Sequence, residues 1–111
     1  STAFGYTPLT SVTIPQNVKT IGEAAFECVS LTSLNFESFS NLERIESRAF
    51  YNNNLAGNLV LPESIKYIGK TAFFDNNLIS VTFPSIATYF ENQQDYLDNS
   101  FDSSVTINHN Y

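Results

Sequence analysis

The residues that could do chemistry sit at alternate positions of five short apolar runs. Leu9-Thr-Ser-Val12-Thr-Ile14 carries Ser11 and Thr13 between its apolar beats, and Leu31-Thr-Ser-Leu34-Asn-Phe36 carries Ser33 and Asn35. Asn58 and Val60 flank Leu59, Ser80 and Thr82 flank Val81, and Ser104 and Thr106 flank Val105. Together these ten make a band of small, almost wholly hydrogen-bonding, uncharged side chains. As a contact surface the band lacks the Tyr, Trp or Arg anchors that supply most interface energy. It has two readings: a flat patch for a protein or glycan, or a ladder that tolerates solvent beside its cross-strand neighbours.

Catalytic groups are sparse. His109 is the only histidine, and no Ser or carboxylate is placed by sequence to make a relay with it. Cys28 is alone, which excludes an internal disulfide; with Glu27 beside it, it reads as a small buried apolar residue at a turn. Asp95, Asp98 and Asp102 offer oxygens, but their spacing matches no loop in which several ligands converge on calcium. Tyr89, Tyr96 and Tyr111 read as end-cap packing, or as a contact patch. Glycine loops for phosphate and paired-cysteine metal sites are absent. The expectation is a non-enzyme with no cofactor and no metal.

Charge narrows the partners. The net charge is -6, with all five Lys and Arg at or before Lys70, against six acids in the same stretch and five after it. An acidic surface repels phosphate backbones, so no nucleic-acid partner is expected. No apolar run approaches the roughly 20 residues of a spanning helix, so no membrane insertion is expected within this piece. No leader-like segment opens the chain, and any targeting signal is expected outside it.

What must position the band is a repeat. Ile21, Ala25, Phe26 and Leu31 return as Ile45, Ala49, Phe50 and Leu55, and again as Ile68, Ala72, Phe73 and Leu78, with the same spacings. A period between 20 and 50 residues marks a solenoid in which each unit buries its apolar face against the next. The alternating runs are short strands with one buried face. Gly57 absorbs one extra residue as a local bulge or turn. Pro15, Pro62 and Pro84 end three strands, since proline donates no ladder hydrogen bond. The second unit differs: Glu37 stands in place of proline, two residues are added, and Leu42 and Ile45 take the inward positions. Gly22 and Gly69 suggest a bend with an unusual backbone angle. Glu-Ala-Ala-Phe, Ser-Arg-Ala-Phe and Lys-Thr-Ala-Phe each read as a short helical or 3₁₀ turn. The Asn52-Asn-Asn and Asp75-Asn-Asn clusters read as turn chemistry. Ser85 to Asp98 has the spacing of an amphipathic helix, and Phe101 to Ile107 matches Leu55 to Leu61, which predicts a fifth strand.

Leu-Thr-Ser-Val-Thr-Ile-Pro-Gln-Asn-Val-Lys-Thr-Ile-Gly-Glu-Ala-Ala-Phe, with its partial copy at Leu55 to Phe73, resembles the BspA-like class of leucine-rich repeat. The resemblance covers about Ala3 to Pro84. It implies a right-handed superhelix and a cell-surface or secreted setting, within a family several of whose members are adhesins. The fold expected is a leucine-rich repeat solenoid of the β-rich, α/β class. It has a concave parallel sheet of four to five short strands, helical or 3₁₀ turns on the convex side and a helix near the C-terminus. One domain, 1–111, is expected: a partial repeat at 1–8, full repeats at 9–30, 31–54 and 55–77, and a degenerate repeat with cap at 78–111. The piece begins mid-unit, which reads either as excision from a longer protein, the reading expected, or as a half-turn serving as a terminal cap. The function expected is non-catalytic binding of a host or neighbouring-cell protein or glycan; the alternative is a structural spacer with no ligand of its own.

Overall fold

The computed structural model describes residues 10–83 and 100–109. Eight strands follow one another: β1 (Ser11–Ile14), β2 (Thr20–Ile21), β3 (Ser33–Phe36), β4 (Arg44–Ile45), β5 (Ala56–Val60), β6 (Tyr67–Ile68), β7 (Asn77–Phe83) and β8 (Thr106–His109). All pairings are parallel, as a coil requires when each lap lays its strand beside the last. The longer strands make two ladders, β1–β3 and β5–β7–β8; the two-residue strands make a second sheet, β2–β4–β6, which periodicity alone had not disclosed.

Inward positions line up in files along the coil. Ile21, Ile45 and Ile68 stand in register. Leu31, Leu55 and Leu78 form another buried set, and Leu42 and Ile65 fill the return segments. The rings of Phe26, Phe50, Phe73 and Phe101 stack in one column at centroid distances of 5.3, 5.1 and 5.3 Å, with planes 4°, 10° and 3° apart. That spacing is close to the separation of hydrogen-bonded strands, about 4.7–4.9 Å, so one ring per lap fits without distortion. At about 1.5–3 kcal/mol for each large side chain fully buried, this core outweighs the three described ion pairs, which are all partly exposed.

Among the described residues no helix forms, and the expected convex helical pieces are replaced by pairs of tight turns. Alternate N–H groups leave the lap altogether. Ala24, Phe26 and Cys28 donate to the carbonyls of Ser47, Ala49 and Tyr51 in the next one, while Ala25 and Glu27 donate back to Gly22 and Ala24. The next lap repeats this, with Arg48, Phe50 and Asn52 donating to Lys70, Ala72 and Phe74. A helix would keep every bond inside its own segment; stitching lap to lap requires residues turned over. Ala24, Arg48 and Thr71, two before each Phe, and Cys28, Asn52 and Asp75, two after it, accordingly have φ between 56° and 63°.

The same geometry corrects two smaller expectations. Cys28 is at a turn but exposed, its Sγ taking a hydrogen bond from Asn52 Nδ2 at 3.2 Å. Neither Gly22 nor Gly69 has an unusual φ. Gly69 is needed for close approach, since a Cβ there would lie 2.5 Å from the Ser47 nitrogen, whereas at Gly22 it would meet nothing. Gly57 does sit at a register shift, with φ 75°. The amphipathic helix expected from Ser85 to Asp98, with Tyr89, Tyr96, Asp95 and Asp98, and the partial repeat at Ser1 to Pro8 lie outside the described residues, as does Tyr111.

The asparagine clusters do more than turn the chain. The buried Asn53 amide donates to the carbonyls of Phe26 and Phe50 at 2.8 and 3.0 Å, and its Oδ1 accepts from the N–H groups of Val29 and Leu31 at 3.2 and 2.8 Å. Asn76 does the same one lap on, bridging Phe50 and Phe73 carbonyls and accepting from the Leu55 N–H. Asp102, a calcium-ligand candidate by sequence, spends its two carboxylate oxygens on the N–H groups of Asp75 and Asn76.

Candidate functional site

The long-strand face carries the band, and register decides its membership. Ser11 stands opposite Ser33 and Thr13 opposite Asn35 on β1 and β3; Asn58 stands opposite Ser80 and Val60 opposite Thr82 on β5 and β7. Thr106 then pairs with Ser80, and Asn108 pairs with Thr82. Ser104, expected in this row, lies instead in the turn before β8, where the Val105 N–H bonds the Asp102 carbonyl. The reason is in the core. Phe101 continues the phenylalanine column and Ser100 takes the place of the alanine before it, accepting from the Phe73 N–H. Phe101 is therefore the counterpart of Phe50 and Phe73, not of Leu55, and the strand it leads into starts two residues later than the apolar spacing suggests.

The side chains of the band hold one another. Ser80 Oγ and Thr82 Oγ1 both donate to Asn58 Oδ1, at 2.6 and 3.1 Å, and Asn35 Nδ2 donates to Ser33 Oγ at 3.1 Å. No Lys or Arg belongs to the face. The cations of this region sit on the second sheet and the turns: Arg44 lies over the Tyr67 ring at 4.2 Å and bonds Glu46, while Arg48 and Lys66 pair with Glu23 and Glu43. The surface is uncharged, hydrogen-bonding and pre-ordered, with Val60 an exposed apolar spot within it. Among the described residues, no group of three or more His, Cys, Asp or Glu could hold a metal ion, and no helix is long and apolar enough to cross a membrane.

The face is not continuous. Between β3 and β5 there is no ladder, although the second sheet runs unbroken through the same laps. A cleft of about 1180 Å³ lies there, lined by residues 34–40 on one lap and 58–64 on the next. Its cause is unequal path length. Ile14 to Ile21 and Leu61 to Ile68 each take seven residues, whereas Phe36 to Ile45 takes nine. The two extra residues swing out as a turn that carries Phe39 at φ 59° and 87% exposed. Sequence reasoning registered the insertion but missed the cleft. The available signal was an aromatic residue between serines, Ser38-Phe39-Ser40, at a position with no inward counterpart.

Residues 1–108 match the BspA type leucine rich repeat region in six copies. No curated protein matches the chain. Among solved structures, that of the pneumococcal vaccine antigen PcpA is similar, with 34% identity and a TM-score of 0.65 over 71% of this chain. The chain spans about a fifth of that antigen's length, 20% by coverage.

Proposed function

Because the chain belongs to the BspA type leucine rich repeat family, we propose that it is a non-catalytic contact module of a surface or secreted repeat protein, binding a host or neighbouring-cell protein or a glycan. The observation that carries this is the ordered row of exposed hydrogen-bonding side chains on the long strands, several already bonded to each other. Groups fixed before contact lose little conformational freedom on binding, which suits a surface that lacks large anchors. The similar antigen supports the setting, not the ligand.

The test is retention on an array of extracellular matrix proteins and glycans, comparing the unaltered chain with Thr13→Arg and Thr106→Arg. Both positions are exposed at opposite ends of the face. Loss of a specific signal with unchanged melting supports binding through the face. No retention of any array component leaves the chain as a spacer between other parts of a longer protein; retention indifferent to both arginines overturns binding through this face.

A further inference from the structure

The cleft between β3 and β5 is bounded by backbone as well as by side chains. In a parallel ladder each residue turns its N–H and C=O to one neighbour, and successive residues turn to opposite neighbours. On β3, the N–H groups of Ser33 and Glu37 bond the Thr10 and Ile14 carbonyls; Asn35 falls in the same set, and Leu34 and Phe36 therefore turn toward β5. On β5, the Leu61 N–H bonds the Thr82 carbonyl, so Leu59 also faces β7 while Asn58 and Val60 turn toward β3. No backbone hydrogen bond joins residues 32–40 to residues 56–61. The laps are pinned at both ends of this opening, by the Asn54 N–H on the Leu31 carbonyl at 2.8 Å and by Ser64 Oγ on the Leu42 carbonyl at 2.6 Å. Two strand edges thus face each other across a gap that cannot simply drift apart.

We propose that this cleft takes an extended peptide of another protein, added as a strand parallel to β3 and β5 and carrying a Lys or Arg at its C-terminal end. An unpaired strand edge is complemented by another backbone, and here two such edges converge on one space. The charge follows from the lining: Glu37, whose Oε1 accepts one bond from the Gln16 N–H at 2.7 Å and keeps its negative charge, lies just past the C-terminal end of β3, and no Lys or Arg lines the cleft. Phe39 and Val60, both largely exposed, supply apolar contact for alternate side chains of the incoming segment. This site borders the Ser/Thr band and shares Asn35, Asn58 and Val60 with it, but it is made by the strand edges and not by the hydroxyls of the band.

The test uses the full chain and a capped peptide of alternating valine and threonine ending in two lysines, with amide hydrogen exchange and chemical-shift mapping as readouts. In the free protein the amides of Leu34, Phe36, Asn58 and Val60 exchange quickly; the peptide protects them. N-methylation of the peptide at alternate residues weakens binding by about tenfold or more, as loss of one or two backbone hydrogen bonds requires. Exchanging its lysines for glutamates also weakens binding, as does Phe39→Ala; Ser103→Arg, exposed in the turn before β8 and outside the cleft lining, leaves it unchanged. Slow exchange of those four amides in the free protein, equal affinity for the N-methylated peptide, or no shift at millimolar peptide overturns the proposal. Protection that appears instead with protein concentration alone assigns the cleft to a second copy and also overturns it.

Discussion

The ring of Phe50 lies 5.1 Å from that of Phe73, the planes 10° from parallel, and each residue is wholly buried. One lap of the chain separates them, so the contact sets the rise of the solenoid and carries the packing of one repeat into the next. Every surface relationship described above rests on that column.

Phe50 and Phe73, each wholly buried and stacked between two other rings, are expected to be the most costly residues of the column to truncate. Phe50→Ala should lose about 3–5 kcal/mol, read from the midpoint of urea unfolding. Phe39→Ala, at an exposed position, should stay within about 0.5 kcal/mol. Equal effects of the two would contradict the stacked core.

Asn53 satisfies backbone groups on two laps, and its removal strands them. Asn53→Ala leaves the buried Val29 and Leu31 N–H groups without their acceptor and should lose on the order of 3 kcal/mol. Those two amides should exchange faster, which a loss of packing alone would not single out. Asn53→Asp keeps the acceptor but loses the donors to the Phe26 and Phe50 carbonyls, and should not restore stability.

The two glycines that follow the inward isoleucines should separate cleanly. Gly69→Ala places a methyl against the Ser47 backbone and should lose about 1–3 kcal/mol. Gly22→Ala meets open space and should be neutral or slightly stabilising. Thermal melts of the two variants decide this.

Shortening the second unit should mend the split sheet. A chain lacking Ser38 and Phe39 has the same path from Phe36 to the next inward isoleucine as its neighbours. It should form β3–β5 bonds worth about 0.5–1.5 kcal/mol each. The check is slower exchange of the Leu34, Phe36, Asn58 and Val60 amides together with a raised melting temperature.

Much of this was legible in the chain. The spacing of Ile21, Ala25, Phe26 and Leu31 and of their copies gave the repeat, because a side chain must return to the interior once per lap, and that condition is local in sequence. Pro15, Pro62 and Gly57 were legible for the same reason, as backbone constraints intrinsic to those residues. The fifth strand was displaced because apolar spacing aligned Phe101 with Leu55, while ring stacking on Phe73 decided otherwise. Helical turns were expected at Ala-Phe because residue type does not reveal that alternate N–H groups will find carbonyls a lap away.

The sequence by itself determined that this protein is a coil of about 23-residue laps, which side chains point inward, and which family it joins, since periodicity and backbone restriction are written residue by residue. Only the tertiary structure decided which laps bond to each other, that Asn53 and Asp102 serve their neighbours' backbones, and that β3 and β5 stand apart. Those outcomes depend on the difference in path length between adjacent laps and on hydrogen bonds across more than twenty residues. Neither can be read from one lap alone.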